Sequence, residues 1–260
     1  TVIISTVGEV QDIRKTVTPV VKPVEDSVLV YVDFGKSGQK LGGSALAQIV
    51  NGLGTETPTV TDSAYFETAF NAVQKLVADG KVYAGHDVSA GGLLTCLLEM
   101  NFPNTKGGMK IDLRNFSNKN DIEVLFNENP ALVLQFSKKT AEELAATGIS
   151  CFTLGTYNAN GDKLEISGTN SYEFDIKDLR NTWFKTSYIL DCEQSGAVKA
   201  KERFESFAKT PLQFKFPEDF NGKMETYGLK IHRNEKTGIH AAIIREKGVN
   251  GDREMAWCLH

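Results

Sequence analysis

Long apolar runs are missing from this sequence. None approaches the ~20 residues that a bilayer-spanning helix needs, so no membrane partner is expected. Paired cysteines are missing as well. The four that occur, Cys96, Cys151, Cys192 and Cys258, are scattered, and no two form a C-x-x-C pair. Such spacing suits neither a disulfide framework nor a zinc site, and it fits reduced cytoplasmic thiols. Basic charge is not in excess: 29 Lys and Arg face 33 Asp and Glu, a net charge of −4. A dedicated nucleic-acid binder shows a strongly basic domain, so no nucleic-acid partner is expected. The opening residues carry no signal-peptide pattern, and no internal repeat or low-complexity tract appears. Together these absences point to a cytoplasmic protein. Its composition is that of a globular chain, 41% hydrophobic and 24% charged over 260 residues.

Glycine, by contrast, is plentiful. Of 23 glycines, 12 lie between positions 35 and 108 (Gly35, Gly38, Gly42, Gly43, Gly52, Gly54, Gly80, Gly85, Gly91, Gly92, Gly107 and Gly108). Half of them in under a third of the chain ask for a functional explanation.

The surrounding residues alternate between strand and helix signals. Thr1–Val7 and Ser27–Asp33 are β-type runs. Phe66, Ala69, Phe70, Val73, Leu76 and Val77 follow the spacing of one buried helical stripe, with Thr61 or Asp62 as cap and Gly80 as stop. Lys81–Ala84 reads as a short strand, Gly91–Met100 as a helix with Leu93, Leu94, Leu97 and Leu98 inward, and Ala131–Phe136 as a buried strand. Thr140–Thr147 reads as a helix ended by Gly148. Ile149–Tyr157 and Lys163–Ser167 read as a hairpin around Asn158–Asp162. The mixture predicts an α+β fold of layered helices and sheet. From Asp191 to about Gly238 the text turns polar, with Pro211 and Pro217, and reads as a helix followed by an extended linker. His240–Arg245 is a strand signal, Glu246–Asp252 a loop, and Arg253–His260 a helix start. One such β-α piece cannot bury both faces of its strand, which predicts a truncated unit belonging to a longer polypeptide.

Two glycine-rich loops open helices. Phe34-Gly-Lys-Ser-Gly-Gln-Lys-Leu-Gly-Gly-Ser44 precedes the helical Ala45–Val50. Free N–H groups at a helix start, with glycines allowing close approach, favour an anion. Gly42, Gly43 and Ser44 are therefore candidate phosphate contacts; a tight turn with close helix–sheet packing explains them equally well. The loop is neither a Walker A nor a G-x-G-x-x-G pattern, because Lys36-Ser37 precedes the glycine pair. The second loop, Gly85-His-Asp-Val-Ser-Ala-Gly-Gly-Leu93, is richer in chemistry. Asp87 is a hard oxygen ligand suited to Mg²⁺. Ser89 can cap the helix or donate to a phosphate, and Gly91 and Gly92 admit a ligand to the first turn. His86 is a ligand-positioning candidate, or a satisfied core histidine. Asn127-Glu128 is placed to reach a ligand but reads better as a turn or cap, Trp183, Phe184 and Tyr188 read as packing aromatics, and His232, His240 and His260 lack partner patterns.

The cluster His86-Asp-Val-Ser-Ala-Gly-Gly-Leu93 resembles the His-Asp-x-Ser-x-Gly-Gly-Leu motif of the aminoimidazole ribonucleotide synthetase-like superfamily. Together with Lys40-Leu-Gly-Gly-Ser-Ala-Leu-Ala-Gln48, Leu125-Phe-Asn-Glu128 and Trp183-Phe-Lys-Thr-Ser-Tyr188, it looks like the large, glutaminase-fused phosphoribosylformylglycinamidine synthases. Ile244-Arg-Glu-Lys-Gly-Val-Asn250 is similar to the entry of their glutaminase domain. The resemblance implies an ATP-dependent ligase of purine synthesis that uses glutamine and Mg²⁺. Residues 1–25 would end a preceding domain, 26–190 form a synthetase-like C-terminal domain, 191–238 a linker and 239–260 the truncated start of the glutaminase. Its partners would be the upstream synthetase-like domains and the downstream glutaminase domain of the same polypeptide. It also implies Asp87 as a metal ligand and Ser89 as an ATP or ADP contact, at a site that is auxiliary in this family. No catalytic residue is expected within these residues, which would be inactive alone. Ala90 departs from the Asp that many relatives carry there. Two other readings remain: a non-catalytic nucleotide-binding or scaffold module, and an ATP-dependent relative such as a selenophosphate synthetase or hydrogenase-maturation protein. The Arg245–Asn250 segment argues against the latter.

Overall fold

All seven residues of Ser-Val-Leu-Val-Tyr-Val-Asp, positions 27–33, are buried. Strand side chains alternate between faces, so a run buried throughout must be covered on both sides. The computed structural model shows how. Strand β1 (Ser27–Asp33) lies inside a seven-stranded sheet with helices packed on each face. The structure describes residues 5, 7–8, 15–118, 120–209, 215–221, 223–228 and 238–259. The chain divides into two compact units, residues 1–209 and 210–260.

In the first unit β1 is followed by α1 (Ala45–Ile49), α2 (Ser63–Ala78), β2 (Ala84–Val88), α3 (Gly92–Asn101), β3 (Gly108–Asp112), α4 (Asp121–Phe126) and β4 (Ala131–Ser137). Then come α5 (Lys138–Ala145), β5 (Cys151–Asn158), β6 (Lys163–Ser167), β7 (Ser171–Asp175), α6 (Ile176–Ser195) and α7 (Ala197–Ser206). The strand order is β2-β4-β1-β5-β3-β6-β7. Every described ladder is antiparallel except β3 with β6. Val28, Val30 and Val32 meet Ala69 and Val73 of α2 and Ala141 and Leu144 of α5. On the other face, Leu29 and Tyr31 share a core with Leu93 and Leu97 of α3, Leu125 of α4 and Ile176 of α6. Each buried valine, leucine or isoleucine among them contributes roughly 1.5–3 kcal/mol on burial. The layered α+β arrangement expected from the sequence is thus the observed one.

The strongest periodic signals largely match the structure: on α2, Ala69 and Val73 are buried and Phe66, Leu76 and Val77 partly so, but Phe70, expected in the same stripe, is exposed. α2 is capped by Asp62, whose carboxylate accepts from Tyr65 N–H at 3.0 Å, and Gly80 follows its end with φ 68°. α3 buries Leu93, Leu97 and Leu98 as expected, with Leu94 partly buried.

Other expectations need correction. Lys81–Ala84 is not a strand. β2 begins at Ala84 and runs through Val88, because Ala84 and Val88 are the apolar residues that reach the core and β4 pairs along the whole stretch, from Ala84↔Gln135 to Val88↔Ala131. Gly85, His86 and Asp87 are therefore strand residues, and the loop shrinks to Ser89–Gly91. The expected hairpin does not form either. β5 and β6 are separated by β3, antiparallel to the first and parallel to the second. Gly108 and Gly155 make room for this insertion: a Cβ on Gly108 would lie 2.9 Å from Lys163 N, and one on Gly155 2.9 Å from the Lys110 carbonyl carbon. Gly107-Gly108, part of the glycine cluster, thus leads into a strand. α6 begins at Ile176, well before Asp191, and runs unbroken through Leu190–Asp191. Its aromatics do pack: Trp183 lies 5.7 Å from Phe102 and 4.7 Å from Phe184, centroid to centroid.

The second unit contains a 3₁₀ turn (Met224–Tyr227), stacked Phe216 and Phe220 rings, and helix α8 (Asp252–Leu259). Residues 240–245 form no strand, since no neighbouring strand is present among the described residues to pair with them. Most of the Thr1–Val7 run, Pro211, His232 and His260 lie outside the described residues.

One carboxylate clasps the far end of the sheet. Asp121, 6% exposed, accepts from Thr169 N–H and Asn170 N–H at 2.9 Å each and from Tyr172 O–H at 3.1 Å. Desolvation alone would raise its pKa, but these hydrogen bonds, the two amides foremost, hold it below the ordinary 3.8. Its stabilising contribution is therefore complete above the ordinary aspartate range and is lost as pH falls through the lower folded value. Asp121→Asn is expected to lower stability at pH 6 and to flatten the loss of stability between pH 4 and 2. Urea unfolding of both proteins across that range checks this.

Candidate functional site

The β2–α3 corner carries the densest chemistry. β2 is an edge strand, so Asp87 sits on the open side of the sheet, its side chain 68% exposed. Val88 then turns the chain back into the core, and Ser89, Ala90 and Gly91 lead into α3. Ser89 is exposed, and its carbonyl accepts from Gly92 N–H at 2.9 Å. The cap position falls on Gly91, so Ser89 stands two residues before the cap of the helix it was expected to cap. Gly92 has φ 71°, and a Cβ there would lie 2.6 Å from Leu125 O and 2.7 Å from Asn127 O. Its lack of a side chain serves the packing of α3 against the segment after α4.

His86 is partly buried between two carboxylates. Nε2 lies 3.1 Å from Glu99 Oε2, and Nδ1 lies 2.8 Å from the Asp87 carbonyl oxygen and 3.3 Å from Asp87 Oδ1. Gly85, His86 and Asp87 also rim a cavity of about 300 Å³ floored by Val77, Leu132 and Leu134. Cys96 beneath this corner is no nucleophile: burial first, then the charges of Asp87 and Glu99, push its thiol pKa far up. All four cysteines are free.

The first glycine loop comes to the same place by an unexpected route. Glu128 Oε1 accepts from Ala45 N–H at 2.7 Å and from Gly91 N–H at 2.9 Å. One carboxylate oxygen thus takes a first-turn amide of α1 and the cap amide of α3. These are the donors that the sequence offered to a phosphate, and a carboxylate satisfies them by the same electrostatics. Ser44 is likewise engaged. Its hydroxyl donates to Leu41 O at 2.7 Å and accepts from Ala47 N–H at 3.2 Å. Gly42 N–H donates to Glu56 O and Gly43 N–H to Leu53 O, both at 2.8 Å, so this loop is closed on itself.

Sequence reasoning gave Asn127-Glu128 a cap role but not the helices it caps. A carboxylate 37 residues from one amide and 83 from the other leaves no spacing signal. The supporting bonds are partly local, Asn127 Nδ2 donating to Glu123 O and Val124 O, and partly distant, Ser37 O–H donating to Asn129 Oδ1 across the fold. Glu99 was also missed. It occupies one position of a helix whose buried residues are mostly apolar.

For a metal ion the donor set is partial. Among the described residues no three His, Cys, Asp or Glu side chains gather into a ligand group. Asp87 suits Mg²⁺ as a single exposed carboxylate, since that ion commonly takes one or two carboxylates and completes its shell with phosphates and water.

Glu128→Ala should release both amides together. We expect faster hydrogen exchange at Ala45 and Gly91 and a loss of about 1–3 kcal/mol in unfolding free energy. Exchange that quickens at only one of the two positions would contradict the shared contact.

Residues 25–162 match the family described as AIR synthase related protein, C-terminal domain, which is just over half of the chain. The chain is 34% identical over 254 residues to a probable phosphoribosylformylglycinamidine synthase, chloroplastic/mitochondrial, of Arabidopsis thaliana, covering 94% of this chain and 17% of that protein. It is 30% identical over 283 residues to the phosphoribosylformylglycinamidine synthase of Drosophila melanogaster, covering 100% of this chain and 20% of that one. The chain therefore spans a fifth or less of the length of these curated relatives. Among solved structures, Thermotoga maritima PurL complexed with ATP superposes with a TM-score of 0.50 at 14% identity, over 65% of this chain and 28% of that one. PurLQS from Thermotoga maritima gives 0.50 at 16% identity with the same coverages. At such identities the likeness is one of fold. The family match decides the matter: this chain belongs to the AIR synthase related proteins, and residues 25–162 are their C-terminal domain.

Proposed function

We propose that this chain is part of an ATP-dependent, glutamine-using carbon–nitrogen ligase of purine synthesis, a phosphoribosylformylglycinamidine synthase. The overall reaction converts formylglycinamide ribonucleotide, ATP, glutamine and water to the amidine, ADP, phosphate and glutamate. Near-complete alignment with two relatives of that name supports the assignment. The observation that carries the local reading is Asp87, exposed on the edge of β2 directly before the Ser89–Gly91 turn.

Within the ligase, this chain supplies a nucleotide site in the cytoplasm. Asp87 holds Mg²⁺, and Ser89 reaches the phosphates. The cavity of about 300 Å³ beside Asp87 is of the size that takes part of a small ligand. The amides of Ala45 and Gly91 serve Glu128 and not the nucleotide. His86 positions its neighbour. The remaining metal ligands and the glutaminase chemistry belong to other parts of the longer protein, with residues 239–260 adjoining the glutaminase.

A second reading has a specific observation in its favour. Glu128 fills the seat that a phosphate would take in a turnover site, which suits a nucleotide held for structure and not consumed.

Calorimetric titration of Mg·ADP into the 260-residue chain and into Asp87→Ala tests the site. We expect at least a ~10-fold loss of affinity in the variant; equal binding would remove Asp87 from the metal site. The chain alone is expected to form no amidine from glutamine or ammonia, and detectable product would overturn the division of labour. Asp87→Ala in the longer ligase separates the two readings: lost turnover supports a catalytic nucleotide, whereas retained turnover with lost ADP supports a structural one.

A further inference from the structure

Helix α3 packs on strand β2, and Glu99, in the second turn of the helix, faces that strand. Its Oε2 stands 3.1 Å from His86 Nε2, and the opposite ring nitrogen stands 2.8 Å from the Asp87 carbonyl oxygen and 3.3 Å from Oδ1. Side-chain exposures of 26% for Glu99, 17% for His86 and 68% for Asp87 describe an inner carboxylate, a covered ring and an outer carboxylate. The neighbours of Glu99 on this helix, Cys96, Leu97, Leu98 and Met100, are buried. A carboxylate among them is costly unless paired, so its partner defines its role.

We infer that Glu99 is a positioning residue that fixes the His86 ring, which in turn holds the Asp87 carboxylate on the open edge of β2. Asp87 lies at the sheet border with most of its surface in water, where a lone carboxylate samples several rotamers. A ring clamped at both nitrogens removes that freedom on one side. Ligand carboxylates and imidazoles in metal sites depend on partners of this kind, and losing one typically costs 10–100-fold in metal affinity. The inference rests on the reading of Asp87 as a metal ligand, and it adds a residue that neither loop contains.

The test uses the 260-residue chain with Glu99→Gln, which keeps the volume and removes the charge, His86→Gln, and the double variant. Ring ¹⁵N resonances of His86, assigned by their loss in His86→Gln, are followed together with Mn·ADP affinity by calorimetry. Glu99→Gln is expected to move the ring resonances and to weaken Mn·ADP about ten-fold. The double variant is expected to bind no more weakly than the weaker single one, because both act through one chain of contacts. Unmoved ring resonances, or losses that multiply, would overturn the inference. Where the wild-type chain lacks Mn·ADP affinity for want of donors outside these residues, the same variants in the longer ligase carry the affinity comparison, while the ring resonances still decide whether Glu99 fixes His86. If Glu99→Gln does not fold, Glu99→Asp, which keeps the charge but shortens the reach, takes its place with the same expected outcomes.

Discussion

Burial of β1 on both faces constrains everything around it. Its register with β4, Ser27↔Ser137 to Asp33↔Ala131, fixes where β4 lies, and β4 in turn fixes β2 from Ala84 to Val88. Strand side chains have a period of two, so a slip of one residue would exchange the faces of every residue on β2. His86 would then turn from Glu99, and Ala84 and Val88 would leave the core that holds them. The position of Asp87 on the sheet edge is thus set by valines and leucines two strands away.

The electrostatics of the corner follow from which acceptor reaches the free amides. A helix start attracts an anion, and a phosphate and a carboxylate compete on equal chemical terms for it. Here Glu128 has won at both helices, at 2.7 and 2.9 Å. Its bond to Gly91 also ties the turn behind Ser89 to the segment after α4, so the outward-facing groups Asp87 and Ser89 stand on a braced base. The glycines then have an architectural role: Gly92 lets α3 approach the 125–127 backbone, and Gly42 lies against Glu56. Their abundance between positions 35 and 108 reflects close backbone contact as much as ligand approach.

Where a residue's neighbours in sequence are also its neighbours in space, the fold was legible. β1 showed as an unbroken apolar run, α2 as a stripe with Asp62 before it and Gly80 behind it, and the inward leucines of α3 as a helical face. Legibility failed where the deciding contact is distant. β2 begins at Ala84 because β4 meets it there, and β3 parts β5 from β6 through glycines that no local pattern distinguishes from loop glycines. His240–Arg245 carries strand-forming residues yet has no paired strand among the described residues, and composition alone does not provide one. At the site, the His-Asp-x-Ser-x-Gly-Gly cluster was visible as chemistry, since those residues are contiguous. Glu99 and Glu128 were not, because each acts across the fold on an amide or a ring far away in sequence.

Interior strands have a strand on both sides, whereas β2 has β4 on one side and the 17–19 segment on the other, where Gly85 N–H donates to Thr18 O at 3.1 Å; Asp87 is exposed, with an apolar recess next to it. Mg²⁺ prefers near-octahedral oxygen, and one carboxylate gives it one or two of six positions. The described residues gather no further ligands, so affinity would have to come from phosphates and from donors outside these residues. A carboxylate that binds a metal gains from being held still, because freedom lost at binding is subtracted from affinity. Glu128 beneath the turn and Glu99 behind His86 both reduce that freedom, from opposite sides of the same corner. The core fixes the strand, Glu128 is bonded to the turn, Glu99 lies against the His86 ring, and Asp87 is left as the exposed carboxylate of this corner.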